Sequence, residues 1–347
     1  MSQIVKNRSE VLFLYDVTYA NPNGDPMEDN RPRIDEETGI NMVTDVRLKR
    51  TIRDYLLDLI EQGDERLKEQ DIFIKEVRDS EGYLYDAKKR AKDFLKETGK
   101  FSEMKEAIQK DVCSKCIDVR LFGCVIPLEL GKEKKGNKKE GEKGSITLIG
   151  PVQFRFGRSL HRVDIKFIKG TGAFASDYEK KKSMQFTFRE EYVLPYSLIA
   201  FYGVINENSA KNTGLTEEDV NLLLEGTWNG TKNLITRSKF GQMPRLIIKA
   251  TYGKPNFYIG DLDRMVGCVA NKELEDEKIR SISELRLDIT KLKKSLEKHK
   301  YEIEKIEFQV DSELKFMLDG KEVKADILGE TIQETVGSQV IMKQLNF

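Results

Sequence analysis

NPNGDPMEDNRPRIDEETGINMVTDVRLKRTIRDYL, residues Asn21 to Leu56, is the stretch around which the chain is organised. It opens as a polar turn, Asn21-Pro22-Asn23-Gly24-Asp25-Pro26. Such a turn suits neither strand nor helix, because proline lacks an amide donor and Asn-Gly favours positive φ. An Arg31-Pro32-Arg33 run follows, and then a helix is expected, with Thr44 as its N-cap and Asp45 well placed in the first turn. Leu48, Ile52, Tyr55, Leu56 and Leu59 recur at helical spacing and make a buried stripe. At about 100° per residue, Lys49 and Arg53 flank that stripe, while Arg47 and Arg50 point more nearly away. Two cations at the rim of a buried face, preceded by a loop of amides and an arginine pair, suit a phosphate backbone. The same charges also read as a solvated helix face, with Arg50 and Asp54 an ordinary (i, i+4) pair.

Upstream, Val11 to Val17 (VLFLYDV) predicts a strand with both faces largely buried. Strand, loop and helix in that order fit the first βα unit of a ferredoxin-like sheet, the scaffold also of RNA recognition motifs. Residues 70–145 read as an insertion of mainly charged helical sequence, Asp86 to Gly99 and Glu103 to Phe122. It closes on the low-complexity run GKEKKGNKKEGEKG, Gly131 to Gly144, which can bury nothing and reads as a mobile loop. Ile146 to Phe156 predicts a strand and Met184 to Tyr192 a returning one, with a long hairpin between them. Gln153 to Phe156 and Phe186 to Tyr192 are expected in the sheet, and Gly170 to Lys182 in the projecting part. Ser197 to Ile205 and Leu246 to Tyr252 are strand-like. Between them Thr216 starts a helix with a capping box to Asp219, and Val220, Leu222, Leu223 and Leu224 pack one of its faces. Trp228 reads as a core aromatic. In the tail, Ile282, Leu285, Ile289, Leu292, Leu296, His299, Ile303 and Ile306 alternate three and four apart. That seam predicts one long helix packed on its own body, followed by short strands at Val310 and at Val323 to Ile327.

The 347 residues suffice for one elaborated domain or two with a sizeable core. Lys+Arg and Asp+Glu are equal at 59 each, so an anion site must come from local clustering and not from global attraction. No apolar run approaches the roughly 20 residues of a spanning helix, and no signal peptide opens the chain. The reading is a cytoplasmic protein without a membrane partner. Cys113-Ser-Lys-Cys116 with Cys124 needs Cys268 or a histidine to complete tetrahedral zinc. There is no second CxxC, and buried structural thiols are the simpler reading, with no metal or cofactor called for. Walker, HExxH, GxSxG and Ser-His-Asp patterns are absent, and the only histidines are His161 and His299. Asp16, Asp25, Asp29 and Asp35 gather around the first loop and keep a metal-dependent ribonuclease as the rival reading.

The loop and helix NPNGDP…NRPRID…TG…VTDVRLKRTIRDYL closely resemble the start of the backbone subunit of type I-B CRISPR Cascade complexes, the Cas-seven family of Csh type. Further matches follow in order: DVRLFG (Asp118 to Gly123), GPVQFRFGRSLHRV (Gly150 to Val163), TGLTEEDVNLLLEGTWNGT (Thr213 to Thr231) and RSKFGQMPRLII (Arg237 to Ile248). The resemblance runs from about residue 10 to 255, and the last ninety or so residues carry none of its motifs. It implies an α+β chain with a ferredoxin-like, RRM-type antiparallel palm and large insertions. Residues 1–69 open the palm, 70–145 form a finger-like helical insertion, and 146–255 complete the palm with a thumb hairpin at about 157–185. Residues 256–347 hold the C-terminal helix and short strands.

The function implied is that of a non-catalytic subunit. It would bind the guide RNA (crRNA) backbone without sequence preference and present it for pairing with target DNA. Its partners are further copies of itself in a head-to-tail helical filament and other Cascade subunits. The residues expected on the RNA are Asn21, Asn23, Arg31, Arg33, Arg47, Lys49, Arg50, Arg53, Arg155, Arg158, Ser159, His161, Arg162, Arg237 and Lys239. The resemblance also implies that the thumb kinks the guide at intervals. Type III relatives cleave RNA with an aspartate in the corresponding loop. A generic RRM-like RNA-binding module is the remaining alternative.

Overall fold

Strand β1, Ser9–Ala20, is buried at every position but Thr18 and Tyr19, because it has a strand on each edge and a hydrophobic layer on each face. The computed structural model describes residues 3–94, 101–130, 142–175, 186–271 and 274–347. Five further elements complete the palm: helix α1 (Asp45–Glu61), strands β2 (Gly157–Arg162) and β3 (Phe186–Ile205), helix α2 (Glu217–Lys232) and strand β4 (Gln242–Tyr252). Their order in the sheet is β4-β1-β3-β2, with every pair antiparallel. That is the βαββαβ ferredoxin-like arrangement expected from the first βα unit. Phe13 sits opposite both Phe201 and Ile247, which sets the register across the centre of the sheet.

Because successive strand residues point to opposite faces, the palm has two cores. Phe13, Tyr15, Ile199, Phe201 and Ile247 lie under Leu48, Ile52 and Leu56 of α1 and Val220, Leu223 and Leu224 of α2. The two helices approach so closely that a Cβ at Gly230 would sit 3.1 Å from the Thr51 carbonyl oxygen. Leu12, Leu14, Leu198, Ala200, Leu246 and Ile248 face the other way, onto Leu285, Leu287, Leu292, Leu296, Phe316 and Ile332 of the C-terminal region. The buried Glu10 carboxylate pins that region to the palm, accepting from the Tyr202 and Tyr252 hydroxyls and from the Ile259 and Gly260 amides. Both helix caps read from sequence are present. Thr44 Oγ1 accepts from Arg47 N, and Thr216 and Asp219 exchange the two bonds of a capping box.

Several expectations are corrected. The heptad-like seam is not one helix: only Thr290–Lys298 is α-helical, between strand Leu285–Asp288 and strand Ile303–Val310. Seven of its eight positions are buried all the same; the exception, His299, ends the helix. Leu285 and Leu287, and later Ile306 and Phe308, follow a strand's period of two, which overlaps a three-four spacing over so short a run. Ile303–Val310 extends the sheet beyond β4, and Ile341–Gln344 lies parallel to it. Helix Leu328–Val336 in the tail was not foreseen, and 325–327 is a 3₁₀ turn and not strand.

The expected strand Ile146 to Phe156 is broken at Gly150-Pro151. Glu142–Ile149 pairs with Gly123–Leu130, while Val152–Phe154 joins β3. Phe186 to Tyr192 belongs to a hairpin arm paired with Lys166–Ala175, and β3 enters the palm only from Leu194. Gly157 to Arg162, expected in the thumb, is palm strand β2. Residues 176–182 of the expected projecting part, with 183–185, and most of the low-complexity run, 131–141, lie outside the described residues. The opening loop carries two two-rung ladders: Ile34–Asp35 pairs with strand Ile40–Val43, which also joins β2, and Gly24–Asp25 pairs with Arg31–Pro32. Gly24 is needed there, since a Cβ would sit 2.1 Å from the Asn30 side chain.

Candidate nucleic-acid interface

Four segments converge beside the N-terminus of α1: the opening loop, the first turns of α1, the 233–241 loop and the root of the hairpin. The loop is tied down by its amides. Asn23 Oδ1 accepts from both the amide and the hydroxyl of Thr44, 2.8 and 2.9 Å, joining the loop to the helix cap. Asn21 is buried; its Nδ2 donates to the Asn30 carbonyl at 2.6 Å, and its backbone amide donates to the Ser238 carbonyl. Lys239 reaches in from the 233–241 loop and donates to the Asn21 carbonyl at 2.5 Å.

Arg47 does not point away as the helical wheel suggested. It lies over the palm core beside Tyr15, Phe201 and Gln242, donates from Nη2 to Thr51 Oγ1 at 2.9 Å, and leaves a buried Nε without a partner. Neither Arg47 nor Lys239 forms an ion pair among the described residues. Burial lowers the pKa of Arg47. Burial, and then the positive charge of Arg47, push the Lys239 ammonium down to about 8. Asn21 Oδ1 adds a second buried polar atom without a partner. Two desolvated cations without an anion make a site poised for one.

At the hairpin root, Arg31 lies over the Tyr192 ring at 4.6 Å and donates to its hydroxyl at 3.2 Å. Arg237 and Arg189 both pair with Glu191, and Arg33 pairs with Asp25 at 2.5 Å. Tyr192 escaped the sequence reading, although an aromatic at the foot of a basic hairpin was a usable signal.

Other expected contacts are already engaged in the fold. Lys49 pairs with Asp45 at 2.9 Å, and Arg50 with Asp54 at 2.6 Å. Arg53 is not at a rim. It is buried, its Nε donates to Asp118 at 3.0 Å, and its guanidinium lies over the Phe122 ring. Asp118 also accepts from the Phe73 and Ile74 amides, so this pair clamps the insertion to α1. Ser159 is buried between the Asn41 amide and the His161 carbonyl. Arg162 pairs with Glu277. Arg155 and Arg158 face the opposite side of the palm from Arg47. Arg155 lies over Tyr202 and pairs with Asp261, and Arg158 lines a cleft with Ala200.

His161 is buried against Tyr196, accepts at Nε2 from the Leu198 amide at 3.2 Å and donates from Nδ1 to the Arg162 carbonyl at 2.8 Å. It is a packed neutral imidazole whose pKa is lowered by burial. The unfolded chain therefore takes up this proton first as the pH falls below the ordinary value of 6.5. Stability is expected to drop between pH 7 and 5, by up to about 1.4 kcal/mol per pH unit from this group. Urea unfolding of wild type and His161→Asn across that range checks it, and equal slopes would exclude the assignment.

Three of the four acids gathered around the opening loop are also held, Asp29 being exposed. Asp25 binds Arg33, Asp35 accepts from the Glu37 amide, and Asp16 is buried against Arg245 and Tyr196. Among the described residues no three His, Cys, Asp or Glu side chains are grouped to hold a metal ion. Burial pushes the thiols of Cys124 and Cys268 up to about 12 and raises those of Cys113 and Cys116, the opposite of a metal-ligating thiolate. Among the described residues no helix is long and apolar enough to cross a membrane.

A ferredoxin-like palm with a helical insertion and a hairpin, and with two buried cations that lack an ion-pair partner among the described residues, defines an α+β protein of the RRM type. The chain belongs to the CRISPR-associated protein Cas7 family, whose model matches residues 7–290. A CRISPR-associated protein Cas7 from Haloferax volcanii is 31% identical over 330 residues, 92% of each chain. Two solved structures are also similar at low identity. One is a chain of a CRISPR RNA-guided surveillance complex (12% identical, 95% of this chain and 98% of that chain, TM-score 0.48). The other is a chain of such a complex in a pre-nicking state (14%, 87% and 92%, TM-score 0.47).

Proposed function

We propose that this chain is the repeated, non-catalytic crRNA-binding subunit of a CRISPR surveillance complex, and of a type I-B Cascade in particular. The observation that carries the reading is the Arg47–Lys239 pair. Two partly buried cations cost free energy in the RNA-free protein, and a phosphodiester would neutralise both. Membership of the Cas7 family supports the guide RNA as the source of that phosphate, and the ordered motifs support the type I-B branch. Arg31 and Arg237, at the hairpin root, extend the same basic path. Phosphate contacts ignore base identity, so pairing with target DNA is left to the guide. Copies would follow one another head to tail along one RNA, an open heterologous contact and not a closed dimer.

Native mass spectrometry of the protein with a 40-nucleotide RNA and Mg²⁺ tests the reading. A ladder of several copies on one intact RNA is expected. A single one-to-one species would favour a generic RNA-binding module, and Mg²⁺-dependent cleavage would favour a ribonuclease.

A further inference from the structure

On the face of the palm opposite Arg47, a cleft of about 340 Å³ opens where the chain passes from strand Val152–Phe154 into β2. Ala200 and Leu160 form its floor, and Arg155, Phe156, Arg158 and Arg264 stand around it. The volume falls in the range of small-ligand sites, about 300–1,000 Å³. Ala200 and Phe201 are neighbours on β3 and point to opposite faces, so this cleft and the Arg47 site cannot share one short segment of strand.

Three observations make the cleft unlike an ordinary charged surface. Arg158 and Arg264 are exposed, and among the described residues neither guanidinium has a hydrogen bond or an ion pair. Phe156, an exposed aromatic at 54% of its surface, stands beside them on the rim. Arg155, by contrast, is held in place by Asp261 and, at 3.9 Å, by the buried Oδ1 of Asp263, which fixes the wall of the cleft beside the two unpaired arginines. Arginine forks for a phosphate and an aromatic face for a base are the parts of a nucleotide site.

We propose that this cleft takes one nucleotide of a single strand other than the segment held at Arg47, with its phosphate on Arg158 and Arg264 and its base against Phe156. Asp261 and Asp263 repel a second phosphate, which limits the contact to a single residue of the strand. The site makes each subunit two-sided toward nucleic acid, and it stands independently of the Arg47 reading.

Fluorescence titrations of labelled U20 and dT20 against wild type, Arg47→Met/Lys239→Met and Arg158→Glu/Arg264→Glu separate the two sites. Arg47→Met/Lys239→Met should lose its tight class and retain a weaker, salt-dependent one. Arg158→Glu/Arg264→Glu should keep the tight class and weaken the other at least tenfold. Tighter binding of dT20 than U20 in the weaker class identifies DNA as the occupant, the reverse identifies RNA, and equal binding a backbone contact open to either. In the Arg47→Met/Lys239→Met protein, 5-iodouracil strands should crosslink to the peptide holding Phe156, and Phe156→Ala should abolish the crosslink. Both arginines are exposed, so thermal midpoints should not move. The inference fails if the weaker class is absent, or if Arg158→Glu/Arg264→Glu leaves its affinity and salt slope unchanged. Should Arg158→Glu/Arg264→Glu alone remove the tight class, the Arg47 reading fails and this one does not.

Discussion

Replacing Arg47 and Lys239 together by methionine should lower affinity for RNA about 10²- to 10⁴-fold without lowering the stability of the RNA-free protein. The size follows from two charge-assisted contacts of roughly 1.5–3 kcal/mol each. Losing two phosphates should also flatten the salt slope by about 1.4, since each single-strand contact contributes roughly 0.7. The stability half of the expectation comes from the burial of both cations. Arg47 holds a solvent-shielded Nε with no acceptor, and Lys239 has only a neutral carbonyl. Removing an uncompensated charge relieves desolvation, so the thermal midpoint of Arg47→Met should hold or rise.

A pH signature accompanies it. With the Lys239 ammonium near 8 in the free protein, a bound phosphate raises that value. Binding then takes up a proton at higher pH, and affinity should fall as the pH rises through 8. Filter binding at pH 7, 8 and 9 reads this directly. A flat profile, or an Arg47→Met midpoint that falls as far as binding does, would reassign the pair to the core.

The largest stability effect is expected at Asp118. Its carboxylate takes Arg53 Nε at 3.0 Å and the amides of Phe73 and Ile74 at 2.8 and 3.1 Å, with the Asp118 side chain fully buried. Asp118→Ala leaves a buried guanidinium and two amides without an acceptor, and breaking a buried pair this way costs about 3–5 kcal/mol. Arg53→Met should cost less, because Asp118 keeps both amide donors and the methionine can still pack on Phe122. Urea midpoints give the order. Proteolysis should show that Asp118→Ala loosens the insertion before the palm, since the lost bonds join Asp118 to Arg53 of α1 and to the Phe73 and Ile74 amides. Equal losses below 1 kcal/mol in both variants would mean the clamp is not a structural joint.

That joint shows where sequence reasoning stopped. Periodicity placed α1, its cap and its buried stripe, because these depend on neighbours within a turn or two. It also put Arg53 beside the stripe, but Asp118 lies 65 positions away and no local pattern announces it. Whether a cation at the edge of a stripe meets water or a buried carboxylate is decided by what folds over it. Lys239 and Arg47 illustrate the converse. Each was a candidate by composition, yet their approach to one another, with no carboxylate between them, arises only when the 233–241 loop closes on the opening loop.

The tail went wrong for a related reason. Ile282 to Ile306 carries a burial pattern that helix and strand can both satisfy over short runs, and pairing with β4 selected the strand for Ile303–Val310. By itself, then, the period of apolar residues and the side-chain chemistry of a few positions determined β1, α1, α2, most of β4 and both helix caps. The α+β class and the antiparallel palm were implied by the resemblance that the sequence motifs carry, and β2, expected in the thumb, was placed only by pairing with β3. Only the tertiary structure decided which cations remain without partners and on which face of the sheet each lies. Ion pairing and desolvation are set by residues distant in the chain, and those distances close only on folding.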